Sequence, residues 1–288
     1  MAALAVGLLA AAPAQATDRS AADSVPLFLT AKLSGAQEVP TPGGPAVGDD
    51  DGRATALVRV KGSQVKFSLQ YKDIGAPTLG HIHQGKAGVN GGVKVALFGT
   101  PLPATVTAAA GAVTVDDPAI ADAIRKDPAG FYVNLHSAKF PGGAVRGQLA
   151  PLNKKVDLFK VVRGGKLHAF LAGDQEVPVA GGPAVGDPDG RAVAFIRPER
   201  TSLNYSLAFV GVTPTLGHIH QGKVGTNGPI KVSLLDTAVP ATIVAVSGTV
   251  SDLDAEVVRQ IRRAPEGFYV NLHSADKPGG AVRGQLFR

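Results

Sequence analysis

The chain contains two copies of one long segment, and this duplication limits the possible folds more than any other feature of the sequence. The stretch Gly-Ala-Gln-Glu-Val-Pro at 35–40 is matched by Gly-Asp-Gln-Glu-Val-Pro at 173–178. The stretch Gly-His-Ile-His-Gln-Gly-Lys at 80–86 returns at 217–223. The offset is 138 residues for the first pair (173 − 35) and 137 for the second (217 − 80). A period this long predicts two tandem globular domains rather than a solenoid.

The predicted domains comprise residues 27–151 and 166–288, with a linker at 152–165. Each copy is rich in short segments that alternate apolar and polar residues, such as 54–60 and 64–71, which a Lys-Gly-Ser turn joins. The 36 Gly and 21 Pro residues suit many turns between short strands. The sequence therefore predicts an all-β fold, with one two-sheet antiparallel sandwich in each copy.

One short helix is expected in each domain. Asp117 followed by Pro118 is typical of a helix start, because Asp caps free N–H groups and Pro suits the first turn. Ile120 and Ile124 then lie on one face of that helix. Asp254 is the corresponding helix cap in the second copy.

The amino-terminal residues resemble a secretory signal peptide. An apolar run at 2–12 precedes Ala14-Gln15-Ala16, a cleavage pattern that predicts a signal at 1–16. No other stretch reaches the roughly 18 apolar residues that a membrane-spanning helix needs. We therefore expect an exported protein without a membrane span, secreted or held in the periplasm or cell envelope.

Composition excludes several kinds of site. The chain has no Cys, and its single Met is Met1, so disulfides, thiolate sites and thioether copper ligands are excluded. The formal net charge is +6, but the basic residues are scattered rather than clustered. We therefore expect no nucleic-acid partner.

The histidines carry the chemistry that the sequence predicts. Side chains of a strand alternate between its faces, so His81 and His83 lie on the same face. A third histidine, His136, recurs with them. The corresponding set in the second copy is His218, His220 and His273. Three neutral imidazoles suit copper or zinc, and we expect copper. The alternative is that duplication alone repeated ordinary histidines. Many other positions differ between the copies, yet each copy keeps all three of these histidines, which together are six of the seven in the chain.

Other polar residues recur close to these histidines. The arginine of the last strand could bind an anion near a metal, whereas the Gln and Asn could hold the histidines through hydrogen bonds. These candidates are Arg146, Arg283, Gln84, Gln221, Asn134 and Asn271. For each the alternative is an ordinary surface residue. Glu38 and Glu176 lack a second carboxylate at a recognisable spacing, so an acid/base pair is not favoured.

The chain resembles the CHRD family, whose domain was first named from chordin. The motifs that carry the resemblance are Gly-His-Ile-His-Gln-Gly, Phe-Tyr-Val-Asn-Leu-His-Ser and Pro-Gly-Gly-Ala-Val-Arg-Gly-Gln-Leu, which occur in both copies. In chordin this domain is part of a secreted protein that binds growth factors. The resemblance thus implies a secreted protein with a possible extracellular protein partner.

A more distant resemblance is to copper/zinc superoxide dismutase. In that family a Gly-x-His-x-His strand holds copper, a later histidine is a further ligand, and an arginine guides the anion. Gly80, His81 and His83 match the strand, while His136 and Arg146 could stand for the later residues. This resemblance implies a Greek-key sandwich. The bridging histidine, the zinc ligands and the disulfide have no counterpart here.

The sequence therefore predicts a secreted protein with one three-histidine copper site in each domain. Two alternatives remain open. One is a copper-only enzyme similar to superoxide dismutase, and the other is an extracellular protein-interaction module that binds no metal.

Overall fold

A computed structural model describes residues 25–288 of the chain; the predicted signal peptide at 1–16 lies outside the described residues. The first copy contains nine strands: β1 (Leu27–Ser34), β2 (Arg53–Lys61), β3 (Gln64–Lys72), β4 (Pro77–Gln84), β5 (Val93–Phe98), β6 (Val106–Thr114), β7 (Phe131–Ser137), β8 (Val145–Gln148) and β9 (Ala150–Pro151). The second contains eight: β10 (Leu167–Ala172), β11 (Arg191–Pro198), β12 (Leu203–Val210), β13 (Leu216–Gln221), β14 (Ile230–Leu235), β15 (Ile243–Val250), β16 (Phe268–His273) and β17 (Val282–Gln285). The predicted all-β fold is confirmed.

Each domain is built from two antiparallel sheets. In the first domain one sheet has the order β1-β2-β3-β6 and the other β8-β7-β4-β5. Strand β1 joins the two sheets at one edge, where Ser34 pairs with Arg146 of β8, and Thr30 and Leu29 pair with Ala150 and Pro151 of β9. The second domain repeats this arrangement with β10-β11-β12-β15 and β17-β16-β13-β14.

Alternating side chains of the strands form the core. Along β2 the even-numbered residues from Ala54 to Val60 are buried, and β3 contributes Val65, Phe67 and Leu69. The facing sheet contributes Ile82 from β4 and Val133 from β7. These apolar faces exclude water, which is the main favourable term in folding. The opposite face of β7 is buried as well, and it carries the predicted site residues Asn134 and His136.

The predicted helix of each domain is present. Helix α1 comprises Pro118–Lys126, and the side chain of Asp117 accepts a hydrogen bond from the backbone N–H of Ala119 at 2.9 Å. Ile124, on the face that the spacing predicts, is fully buried. Helix α2 comprises Ala255–Arg263 and begins after the cap Asp254.

The two domains share one continuous sheet. Strand β6 pairs antiparallel with β15, so the sheet runs β1-β2-β3-β6-β15-β12-β11-β10 through both domains. Two threonine hydroxyl groups extend this seam. Thr242 donates to the carbonyl of Leu97, and Thr105 donates to the carbonyl of Leu234, each at 2.6 Å. The pairing covers two strand edges that would otherwise expose unpaired backbone groups.

The predicted linker packs against this shared sheet. It contains a 3₁₀ turn at Leu158–Val161, and Val161 is buried against β6 and β15. The hydroxyl of Ser247 donates to the carbonyl of Val161, and the backbone N–H of Arg163 donates to Ser206 at 3.0 Å. The linker therefore covers part of the outer face of the sheet.

We expect Gly111→Ala to weaken the seam between the domains. A methyl group there would lie 2.3 Å from the carbonyl oxygen of Thr242 and 2.7 Å from the ring of Phe67, so the strands must separate. The expected loss in free energy of unfolding is roughly 1–3 kcal/mol. Urea denaturation measures it, with Gly99→Ala as the control because nothing lies within 4 Å of that position. Equal stability of the two variants would contradict close packing at the seam.

Candidate metal centre

The candidate site lies on the outer face of the β8-β7-β4 sheet. The antiparallel register places His81 opposite Asn134, and Asn134 opposite Arg146. The next row places His83 opposite Tyr132. An outer sheet face normally contacts water, yet loops cover this one. Arg146 is 1% exposed and Asn134 is 5% exposed, so the polar groups of this face must find partners within the protein.

The structure brings the three predicted histidines of each domain together. The Nδ1 atom of His81 lies 3.3 Å from the Nε2 atom of His136. Each of His81, His83 and His136 offers one nitrogen, and these nitrogens lie within 4.8 Å of one another. The second domain repeats the cluster, with 3.2 Å between Nδ1 of His218 and Nε2 of His273, and with His220 as its third member.

Backbone carbonyl groups set the tautomers of two of the histidines. The Nδ1 atom of His83 lies 2.9 Å from the carbonyl oxygen of Gly91, and Nδ1 of His136 lies 2.9 Å from that of Pro141. A carbonyl oxygen only accepts, so in each neutral ring the proton is on Nδ1 and the lone pair on Nε2. The Nε2 atom of His83 is buried and has no hydrogen-bond partner among the described residues. Hydrogen bonds of this kind orient metal-binding histidines.

The second domain has the same arrangement. His220 bonds the carbonyl of Gly228 and His273 that of Pro278, each at 2.9 Å. The Nε2 atom of His220 is also buried without a partner among residues 25–288.

Burial favours the neutral form of two imidazoles in each cluster. It lowers the pKa of His81 to about 4, and the nearby His136 and His83 lower it further. Burial likewise lowers the pKa of His83, although the carbonyl of Gly91 opposes this shift. The pKa values of His218 and His220 are lowered for the same reasons, that of His218 to about 4. A neutral imidazole is the form that binds a metal, so these rings are ready to bind at neutral pH.

Tyr132 and Arg146 hold His83 from the side. The rings of His83 and Tyr132 stack with centroids 4.9 Å apart and planes 8° from parallel. The guanidinium carbon of Arg146 lies 3.4 Å from the centroid of Tyr132, a cation–π contact. Tyr132 was not among the residues predicted for the site. Its recurrence in the Phe-Tyr-Val-Asn-Leu-His motif could have identified it, because Tyr132 lies on the same strand face as Asn134 and His136.

Arg146 binds the loop that follows the His-x-His strand. Its guanidinium donates to the carbonyl groups of Lys86 (3.0 Å) and Val89 (2.8 Å) and to the side-chain oxygen of Asn90 (3.1 Å). This loop ends at Gly91, whose carbonyl fixes the tautomer of His83. The geometry therefore favours a positioning role for Arg146. Arg283 contacts Lys223, Thr226 and Asn227 in the same way.

The predicted glutamines lie at the end of the His-x-His strand, with exposed side chains. The backbone N–H of Gln84 donates to Gly92, and that of Gln221 to Pro229. A different glutamine, which was not among the predicted site residues, supports the loop after the His-x-His strand. Gln148 donates to the carbonyl groups of Gly85 (2.6 Å) and Ala129 (2.8 Å).

A buried carboxyl group lies over Asn134. The amide of Asn134 donates to Glu38 at 3.4 Å, while Oε1 of Glu38 and Oδ1 of Asn134 have no partner among the described residues. Burial raises the pKa of Glu38 to about 7, and the charge of Arg146 and the Asn134 amide oppose the shift. Gly143 has a φ of 140°, and a Cβ there would lie 2.7 Å from both carboxyl oxygens. The carboxyl therefore needs glycine at this position.

Glu176, Asn271 and Gly280 form the same arrangement in the second domain. The amide of Asn271 lies 3.3 Å from Glu176, whose pKa burial again raises to about 7. One sequence feature points to these carboxyl groups, because the Gln-Glu-Val-Pro motif occurs in both copies. Sequence spacing did not reveal that Asn, rather than a second carboxylate, is the partner.

The fold and the site define a tandem-domain all-β protein with a histidine cluster on one sheet of each domain. The CHRD domain model matches residues 29–149 and 167–286, and the chain belongs to the CHRD domain family. This membership indicates a module of the extracellular type. No curated protein matches the chain. None of the helices within residues 25–288 has the length and apolar character that a membrane span requires.

We expect replacement of the two buried carboxyl groups to change the pH dependence of stability. A raised pKa means that the folded state favours the protonated form. The stabilising contribution of each carboxyl group is complete below about pH 4.5 and is lost as pH rises through about 7. Glu38→Gln with Glu176→Gln keeps a neutral group at every pH. The free energy of unfolding of the variant, relative to that of the wild type, should therefore increase as the pH is raised from 5 to 8.

Urea midpoints at several pH values measure this difference. Glu266→Gln, at an exposed position, is the matched control. A stability difference for the double variant that is the same at pH 5 and pH 8 would show that these carboxyl groups titrate normally.

Proposed function

We propose that this chain is a secreted metal-binding protein that holds one copper ion in each domain through three histidines. The observation that supports this proposal is the convergence of the three imidazole nitrogens within 4.8 Å in both domains. In each domain, backbone carbonyl groups turn the Nε2 lone pairs of two rings toward that cluster. A buried Nε2 atom without a hydrogen-bond partner, close to the other imidazoles of its cluster, suits a cation.

The ligand set favours copper over other metals. Imidazole nitrogens suit copper and zinc, and copper(II) binds most tightly among the divalent metals of the first transition row. Calcium and magnesium prefer oxygen ligands, which this cluster does not offer. Zinc is the competing candidate, since three histidines also suit its tetrahedral sites.

The two alternatives find less support. A dismutase-like enzyme would need an arginine that attracts the anion, whereas the guanidinium groups of Arg146 and Arg283 donate to loop oxygens and are 1% and 2% exposed. A metal-free interaction module would not need Nε2 of His83 and His220 to be turned into the cluster without a partner.

Titration with copper(II), followed by electron paramagnetic resonance, tests the proposal. We expect about two ions per chain and hyperfine coupling to imidazole nitrogen. His83→Ala with His220→Ala should abolish this signal. The matched control is His168→Ala, because His168 packs against Phe287 on another part of the second domain. Tight binding that survives the double variant, or no binding by the wild type, would contradict the proposal; zinc added as a competitor determines the preference between the two metals.

We further expect the two sites to bind independently. Each domain supplies its own three histidines, and the two clusters share no residue. Changes at separate sites without shared partners add almost independently. His83→Ala alone should therefore remove one copper ion per chain and leave the affinity of the second site within about twofold. Competition with a chelator measures both affinities, and a loss of both ions in this single variant would show that the sites are coupled.

A further inference from the structure

An apolar cavity lies beside the seam between the domains, away from the histidine clusters. Its volume is about 530 Å³, within the usual range for small-molecule sites. It lies on the outer face of the shared sheet, next to the linker turn. The apolar side chains that line it include Ala110, Ala112, Phe159, Val193, Ala208 and Val210.

The duplication provides an internal comparison for this cavity. A smaller hollow occupies the corresponding place on the first domain and is lined by polar side chains. The alignment of the two copies pairs Thr55 with Val193, Gln70 with Ala208, Lys72 with Val210 and Thr107 with Val244. The same strands therefore fold with polar residues on this face, so the apolar character of the second face is not a requirement of the fold.

Two of the apolar side chains at the cavity are open to solvent. Val210 is 69% exposed and Phe159 is 49% exposed. A contiguous apolar surface in contact with water is a liability for a soluble protein unless something covers it. Phe159 belongs to the linker turn and lies at the edge of the cavity, where it would contact a bound molecule.

Charge at the cavity indicates which molecule would fit. Its lining contains two charged side chains, Lys66 and Arg191, both basic, and no carboxylate. One guanidinium nitrogen of Arg191 donates to the carbonyl groups of Pro188 and Gly190, which holds the side chain in place. Basic groups beside an apolar surface complement an anionic head joined to an apolar chain.

We propose that this cavity binds a single-chain amphiphile with a carboxylate head, of the fatty-acid class. The apolar chain would lie on the Ala and Val side chains of β6, β11 and β12, beneath Phe159. The carboxylate would pair with Arg191 at the β11 edge of the cavity, whereas Lys66 lies four strands away on β3. The site is independent of the proposed copper centres, because none of the six histidines lines it.

Fluorescence titration with cis-parinarate, a carboxylate that fluoresces in apolar surroundings, tests the proposal on the full chain. Decanoate and the uncharged decanol then serve as competitors of equal chain length. We expect saturable binding at about one molecule per chain, displaced by decanoate. An absence of saturable binding would overturn the proposal.

Variants based on the duplication test the location. Val193→Thr with Ala208→Gln installs the first domain's residues in the cavity and should weaken binding by about tenfold or more. Thr55→Val with Gln70→Ala makes the reverse exchange on the first domain, and it should leave the affinity of the original site unchanged. Unchanged affinity in the first variant would place the site elsewhere and overturn the assignment. Urea denaturation of each variant confirms that the comparison is between folded proteins.

The charge variants test the head group. Arg191→Gln should weaken competition by decanoate and leave competition by decanol unchanged, whereas the control Lys66→Gln, at the opposite edge of the cavity, should change neither. An equal effect on both competitors would overturn the carboxylate assignment.

Discussion

A buried guanidinium group organises the candidate site of each domain. Removing a charge from water is costly unless hydrogen bonds replace the lost hydration. Arg146 meets this requirement with three oxygen acceptors on the loop after β4 and with the face of Tyr132. The same loop offers the carbonyl that orients His83. The position of His83 therefore depends on how well Arg146 is solvated by the protein, although the two side chains lie on different strands.

The part of the site that follows strand periodicity could be predicted from the sequence. Alternation places His81 and His83 on one face, and recurrence in both copies singled out His136. The contribution of Glu38 could not be predicted, because it depends on how a distant loop covers Asn134. The stacking of Tyr132 depends likewise on the register between β4 and β7. Local patterns report which face a side chain occupies, but they do not report which loop folds over that face.

The shared sheet shows a second limit on what could be predicted from the sequence. The hairpins and helices were predicted from alternation and capping, whereas strand β6 was not. Its residues Ala108, Ala109 and Ala110 are all buried, so the strand lacks the alternation that marks a half-exposed strand. The reason is physical, since one face packs into the core and the other lies beneath the linker turn at the seam. Pairing with β15 is a contact between domains, which no pattern within one copy reveals.

The two copies have diverged unequally, and physical constraint accounts for the difference. A change in a residue at the histidine cluster would remove a candidate ligand, alter a tautomer or disturb a buried charge, and both domains keep the same set. The outer sheet face tolerates Thr and Gln as readily as Val and Ala, because side chains there do not enter the core. The histidine face is therefore nearly the same in the two domains. The apolar face of the second domain is optional for the fold, because the first domain has polar side chains at the corresponding positions.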